Sequence, residues 1–226
     1  MKRRTLLQTL SAGIWASTAL WSRAADTATA FQTAITRDNF IAMRQLLQQG
    51  VDPNSVDEQG RPALVKAMQL ESLRVAQELL HAPGVRIDAA SKAGETALMH
   101  ACIKGNLKMV EQLLAMEARV NHPGWTPLHY AASADTEHSV EIATLLLEYH
   151  AYIDAESPNK STPLMLAAQY GSEAMVQLLL DAGADVQLRN QLGLTAVDFA
   201  RRSEREFMVR TLENAYQATR RSKASW

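Results

Sequence analysis

Apolar residues along this chain fall in paired short stretches, and the pair recurs. The first member reads "GRPALVKAM" from Gly60, "GETALMHAC" from Gly94, "GWTPLHYAA" from Gly124, "KSTPLMLAA" from Lys160 and "GLTAVDFAR" from Gly193. A second follows: "RVAQELL" from Arg74, "LKMVEQLL" from Leu107, "VEIATLLLEYHAYID" from Val140 and "EAMVQLLLDAGADVQ" from Glu173. An earlier copy, "IAMRQLLQQGVDPNSVDEQG" from Ile41, has only the second half. Aligned on one position, the copies place Pro62, Thr96, Thr126, Thr162 and Thr195 at spacings of 34, 30, 36 and 33 residues. A period in this range marks a structural unit that buries its apolar face only by stacking on a neighbour. Each unit is predicted to hold two short helices and a connecting finger, which makes the chain all-α.

The residue types agree with that geometry. Thr at a helix start accepts a bond from a free backbone N–H, worth about 1 kcal/mol. Pro127 and Pro163 sit at the first helical position, where no N–H partner is lost. The pairs Ala131–Ala132 and Ala167–Ala168 let helices approach closely. Leu145 to Leu147 and Leu178 to Leu180 point the second helix toward the stack. Gly50 and Gly183 follow a helix, where a left-handed residue is favoured. Length changes fall between helices: "VNHPG" is a clipped finger before Gly124, and "SADTEHS" lengthens a loop. Both terminal units carry extra charged and polar residues, as capping units do.

The "G-x-T-P-L-H-x-A-A" and "L-L-L-x-x-G-A-D-V" patterns at this period resemble the ankyrin repeat over residues 31–216. The resemblance implies a solenoid of stacked helix-turn-helix units with short β-turn fingers. Its units are about 31–59 (an N-terminal cap), 60–93, 94–123, 124–159, 160–192 and 193–216 (a C-terminal cap). It implies that His129 hydrogen-bonds within and between neighbouring units, with Val65, Met99, Met165 and Asp198 at the same place elsewhere. It also implies a partner-binding concave face. The variable finger position holds Arg61, Glu95, Trp125 and Leu194, and positions after the Ala pair include Ile103, Lys104, Gln169 and Tyr170. Two readings of Trp125 stand side by side: a binding residue, or a cover for the gap left by the clipped finger.

The two ends differ from the middle. "MKRR" begins a basic stretch, "TLLQTLSAGIWASTALW" is apolar, and Ser22 and Ala24 are small residues suited to cleavage after Ala24. Residues 1–24 are therefore expected to be a signal peptide; Arg3-Arg4-Thr5-Leu6-Leu7 resembles a twin-arginine signal, while Lys2, Leu6 and Gln8 depart from that pattern and leave the general secretory route open. Residues 25–30 read as a linker. No later apolar run is long enough to span a bilayer. Residues 25–200 hold 12 basic and 21 acidic residues, whereas 201–226 hold seven basic and three acidic, leaving 217–226 as a basic tail. The acidic body speaks against nucleic acid binding. A single cysteine, Cys102, permits no internal disulfide and occupies a small-residue position of the motif.

The histidines lack zinc-type spacing, and phosphate-loop and hydrolase motifs are missing. Met43, Met68, Met99, Met109, Met116, Met165, Met175 and Met208 fall at apolar repeat positions, which core packing explains better than a cofactor. No metal or cofactor is expected. The reading is a monomeric, non-enzymatic module that binds a partner protein in the bacterial periplasm. Alternatives in the same class are an immunity protein against a toxic effector and a protector of an envelope or oxidative-stress enzyme. A distant alternative is an enzyme using His100, Cys102 and Lys104.

Overall fold

A computed structural model describes residues 25–224. The expected signal segment lies outside the described residues. The chain divides into two compact units, Met1–Val85 and Arg86–Trp226. The first holds α1 (residues 25–36), α2 (Phe40–Gln48), α3 (Ala63–Gln69) and α4 (Leu73–Leu80). The second holds α5 (Ala97–Ile103), α6 (Leu107–Ala115), α7 (Pro127–Ser133), α8 (Ser139–Glu148), α9 (Pro163–Tyr170), α10 (Glu173–Asp181), α11 (Ala196–Arg202) and α12 (Glu206–Ala224). Among the described residues the isolated extended pairing is a single bridge between Val56 and Pro62. The architecture is the all-α repeat class.

In the Arg86–Trp226 unit the helices form two layers. The first helices pack in series, α5 on α7, α7 on α9 and α9 on α11. The second helices form the other layer, with α6 on α8, α8 on α10 and α10 on α12. Leu98, Leu128 and Leu164 repeat at one register and are at most 1% exposed. Each such side chain contributes about 1.5–3 kcal/mol on burial. Helices α5, α7 and α11 are only seven residues long. Isolated helices of that length are unstable in water, so the stacking supplies what propensity cannot. The close approach rests on small residues. A Cβ on Gly171 would lie 2.5 Å from the Ala132 carbonyl oxygen and 3.0 Å from Ala167 Cα, both backbone atoms that cannot swing away.

Polar side chains tie successive fingers together, and they recur every 33 residues at Asp88, Asn121 and Asp154. Asp88 accepts the Arg119 N–H at 2.8 Å. Asn121 accepts the Tyr152 N–H at 2.9 Å and donates to the His150 carbonyl at 2.9 Å. Asp154 takes the Asp185 N–H on its two oxygens at 3.1 and 3.2 Å. Burial pushes the Asp154 carboxyl above its ordinary range, and the Asp185 charge adds to this, while the Asp185 N–H partly offsets both.

The Met1–Val85 unit keeps one such tie, Asn54 donating to the Gly84 carbonyl at 2.9 Å, and adds charge. Arg44 pairs with Glu78 through bonds of 2.9 and 2.6 Å, and Arg74 with Asp38 at 2.9 Å. Both guanidinium groups lie near the Phe40 ring, 5.7 and 5.3 Å from its centre. Residues 25–30, expected as a linker, are instead the opening turns of α1. Thr29 and Thr33 return their hydroxyls to the carbonyls four residues back, and burial begins at Phe31. At the other end, residues 217–224 of the expected tail continue α12. The loop joining α7 to α8 is the long one, and the finger before α7 has bends in place of a regular turn.

Two stability changes follow. Gly171→Ala is expected to cost about 1–3 kcal/mol through overpacking, read as a lower urea midpoint with unchanged slope. Asp154→Asn is expected to raise stability by about 1 kcal/mol at neutral pH. It keeps the acceptor for Asp185 and removes a disfavoured charge. Because the folded Asp154 pKa is raised, its charged form costs stability above that pKa and protonation relieves it below. The advantage of the Asp154→Asn variant in thermal melts should therefore shrink as pH falls through the carboxylate range.

Candidate functional site

The site is built around the start of α7. His129 is the third residue of that helix and is fully buried. Its Nδ1 accepts the Thr126 N–H at 3.2 Å and lies 2.9 Å from the Thr126 hydroxyl, while Nε2 lies 2.9 Å from the Ser161 carbonyl of the next finger. That pattern requires a proton on Nε2 and a lone pair on Nδ1, which is the neutral ring. Burial pulls its pKa down, against the Ser161 and Ala155 carbonyls. The same post is filled elsewhere by different chemistry. Asp198 accepts the Thr195 N–H at 2.8 Å, and the sulfurs of Met99 and Met165 accept those of Thr96 and Thr162 at 3.4 and 3.5 Å. His129 is therefore an architectural link between repeats.

Trp125 sets its ring edgewise on His129, 5.4 Å between centres at 81°. It forms one wall of a notch of about 260 Å³, with Ile103, Tyr130, Leu166 and Tyr170 among the other walls. Trp125 and Tyr130 are half-buried, and Tyr170 is 55% exposed. The structure thus brings together three of the residues singled out in sequence: Ile103, Trp125 and Tyr170. It adds Tyr130 and Leu166. Tyr130 and Leu166 share a signal, because both occupy the position after the motif His, which elsewhere carries Lys66, His100 and Phe199 and varies freely.

The remaining candidates do not line the notch. Glu95 stands behind it: Oε1 accepts the Tyr130 hydroxyl at 3.1 Å, and Oε2 lies 3.8 Å from His100 Nε2. Burial raises the Tyr130 pKa and the Glu95 charge and bond raise it further, so the phenol stays neutral and donating. Lys104 and Gln169 flank the helix ends beside Ile103 and Tyr170, and Leu194 is half-buried in its own finger. Arg61 belongs to the Met1–Val85 unit, where its guanidinium donates to Asp57 at 2.8 Å and Gln69 at 2.7 Å. Burial pushes Asp57 up, but bonds from Arg61 and the charges of Arg61 and Lys66 outweigh this and hold it low. A larger hollow, about 1030 Å³, lies in that same unit between α1 and the finger after α2. Thr27, Thr29, Thr33 and Thr36 rim it, and it has no aromatic cluster of this kind.

Other chemistry is weak. Cys102 is fully buried and desolvation raises its thiol pKa, the opposite of what activates a thiolate. Among the described residues no group of three metal-ligating side chains stands together, and no helix is long and apolar enough to cross a membrane. Met43, Met68, Met99, Met109, Met165, Met175 and Met208 are buried in the packing, with Met116 half-buried.

Short paired helices, Thr-headed first helices and a histidine bridging consecutive units define an ankyrin array. The family model for ankyrin repeats (3 copies) matches residues 75–157 and 137–221, and the chain belongs to that family. It is 31% identical over 163 residues to the ankyrin repeat protein YahD of Escherichia coli (strain K12), covering 69% of this chain and 80% of that one. It is 29% identical over 198 residues to the protein glp-1 of Caenorhabditis elegans, covering 80% of this chain. It is 28% identical over 166 residues, 70% of its length, to the human transient receptor potential cation channel subfamily A member 1. It spans only 15% of the length of each of these last two proteins.

His129→Ala would strand the buried Thr126 N–H and take one of two donors from the Ser161 carbonyl, which keeps the Ser157 N–H at 3.0 Å. It is expected to lower stability by about 2–4 kcal/mol at neutral pH in urea denaturation. Since the folded pKa of His129 lies below the unfolded one, its contribution is present at high pH. It is lost as pH falls below about 6.5, and the gap between parent and variant should narrow there.

Proposed function

We infer that this chain, as an ankyrin array, is a protein–protein interaction module. We propose that it acts after export, in a bacterial periplasm, by holding a partner protein on the face that carries the Trp125 notch. The observation that carries the choice of face is the grouping of Trp125, Tyr130 and Tyr170 around one accessible apolar notch. Half-exposed aromatics of this kind are over-represented at the energetic centres of interfaces. The packing core already uses Leu128, Leu164 and their equivalents, so the notch aromatics are not required to close it. The compartment rests on the basic, then apolar, then small-residue order of residues 1–24. A non-catalytic role fits a Cys102 shut away from solvent.

The test expresses the full chain with a C-terminal tag in its own host, captures it from the periplasmic fraction, and repeats this with Trp125→Ala plus Tyr170→Ala. The expected result is a captured chain whose N-terminus is Ala25, together with a protein that the double variant fails to hold. Binding of that purified protein should weaken by at least tenfold, about 1.4 kcal/mol, while the variant's melting temperature stays within a few degrees of the parent's. Equal binding by both forms would move the interface elsewhere. A tag found only in the cytoplasm with Met1 intact would overturn the location.

A further inference from the structure

The notch has a chemical preference that follows from its walls and surroundings, and the inference rests on the reading of this face as the binding face. Trp125, Tyr130 and Tyr170 contribute three aromatic rings to a space of about 260 Å³. Aromatic faces attract cations, most strongly when the site is partly desolvated. The Tyr130 hydroxyl is spent on Glu95, 3.1 Å away, so a carboxylate stands directly behind one ring. The imidazole under Trp125 is neutral, because Thr126 and Ser161 fix a single proton on it, so no positive charge opposes a cation from below. Lys104, next to Ile103 at the end of α5, is exposed and outside the notch lining. Residues 86–200 hold 14 acidic and seven basic side chains, giving the region a field that draws cations in.

We propose that the notch receives an arginine side chain presented by a basic segment of the partner protein. Its planar guanidinium stacks on the Trp125 ring better than an ammonium does, and its charge faces the Glu95 side. Ile103 and Leu166 cover the aliphatic stem. An aliphatic anchor would use the walls but gain nothing from the Glu95 charge or the surrounding acidity.

The test uses isotope-labelled full chain and the capped tripeptides Gly-Arg-Gly, Gly-Lys-Gly, Gly-Leu-Gly and Gly-citrulline-Gly, the last being the neutral isostere of the first. The readout is the indole N–H resonance of Trp125, assigned by its loss in Trp125→Phe. The expected result is a saturable shift with the arginine peptide in the millimolar range, and binding about fivefold or more weaker for citrulline. Glu95→Gln, which keeps an acceptor for Tyr130, should weaken arginine binding several-fold, and added salt should weaken it further. Citrulline or leucine binding as tightly as arginine would overturn the proposal in favour of an uncharged anchor. No saturable arginine shift, or one unchanged in Glu95→Gln, would overturn it outright. The outcomes separate from those above. Loss of partner capture in the double variant without arginine preference leaves the face and discards the occupant. Arginine preference with capture unaffected keeps a cation notch and discards it as the partner's site.

Discussion

Every repeat here depends on an interface that it cannot make by itself. Helices of seven to ten residues, from α5 to α11, lie below the length at which a helix persists alone in water. Their apolar residues are shared across the two layers, and the first-helix layer closes only because Ala132, Ala167 and Gly171 allow backbone to meet backbone. Side-chain volume at these positions is therefore the tightest constraint in the Arg86–Trp226 unit. Extra length is accepted in the loop between α7 and α8, where Thr136 sits against Gly105, a residue with no side chain to oppose it.

Cross-repeat polar bonds set register on top of that packing. The Thr N–H at the entrances of α5, α7, α9 and α11 needs an acceptor three residues on, and the chain supplies imidazole, carboxylate or thioether at the same station. Of these, His129 also reaches forward to Ser161 and so couples two repeats through one ring. The ladder of Asp88, Asn121 and Asp154 does the same on the finger side. Asn121 satisfies a donor and an acceptor, while Asp154 satisfies a donor beside a second carboxylate. The repeat thus contains both a better and a worse solution to one local problem, and the better one shows how to improve the other.

The fold was largely legible. The Thr ruler located the first helices, and the loop changes fell at the clipped finger and after Ser133. Both follow from local rules of capping and chain length. What resisted reading was side-chain partnership across repeats. Nothing in "GRPALVKAM" shows that Arg61 is held by Asp57 and Gln69, or in "GETALMHAC" that Glu95 turns to Tyr130 one repeat away. The helix over residues 25–30 escaped because Ala and Thr carry no apolar period, and its support comes from hydroxyls bonding back along the same turn. At the candidate site, Ile103, Trp125 and Tyr170 were found because they are large, apolar and placed where the motif varies. Tyr130 and Leu166 were passed over although the position after the motif His varies as freely as the others.

The same short stretch, from Gly124 to Ala132, therefore does two physically separate jobs. His129 faces inward, is neutral and fully bonded, and has no capacity left for a ligand. Trp125 and Tyr130 lie on either side of it, half-buried, with ring surface that the stack does not use. The inward residue fixes the platform on which the outward ones stand. Loss of His129 should thus abolish binding only by way of stability, whereas loss of Trp125 should abolish it with the stack intact. That asymmetry is what distinguishes a binding notch from a cover over a shortened finger. A cover, when removed, exposes His129 to water and lowers stability with binding. A notch wall, when removed, lowers binding alone.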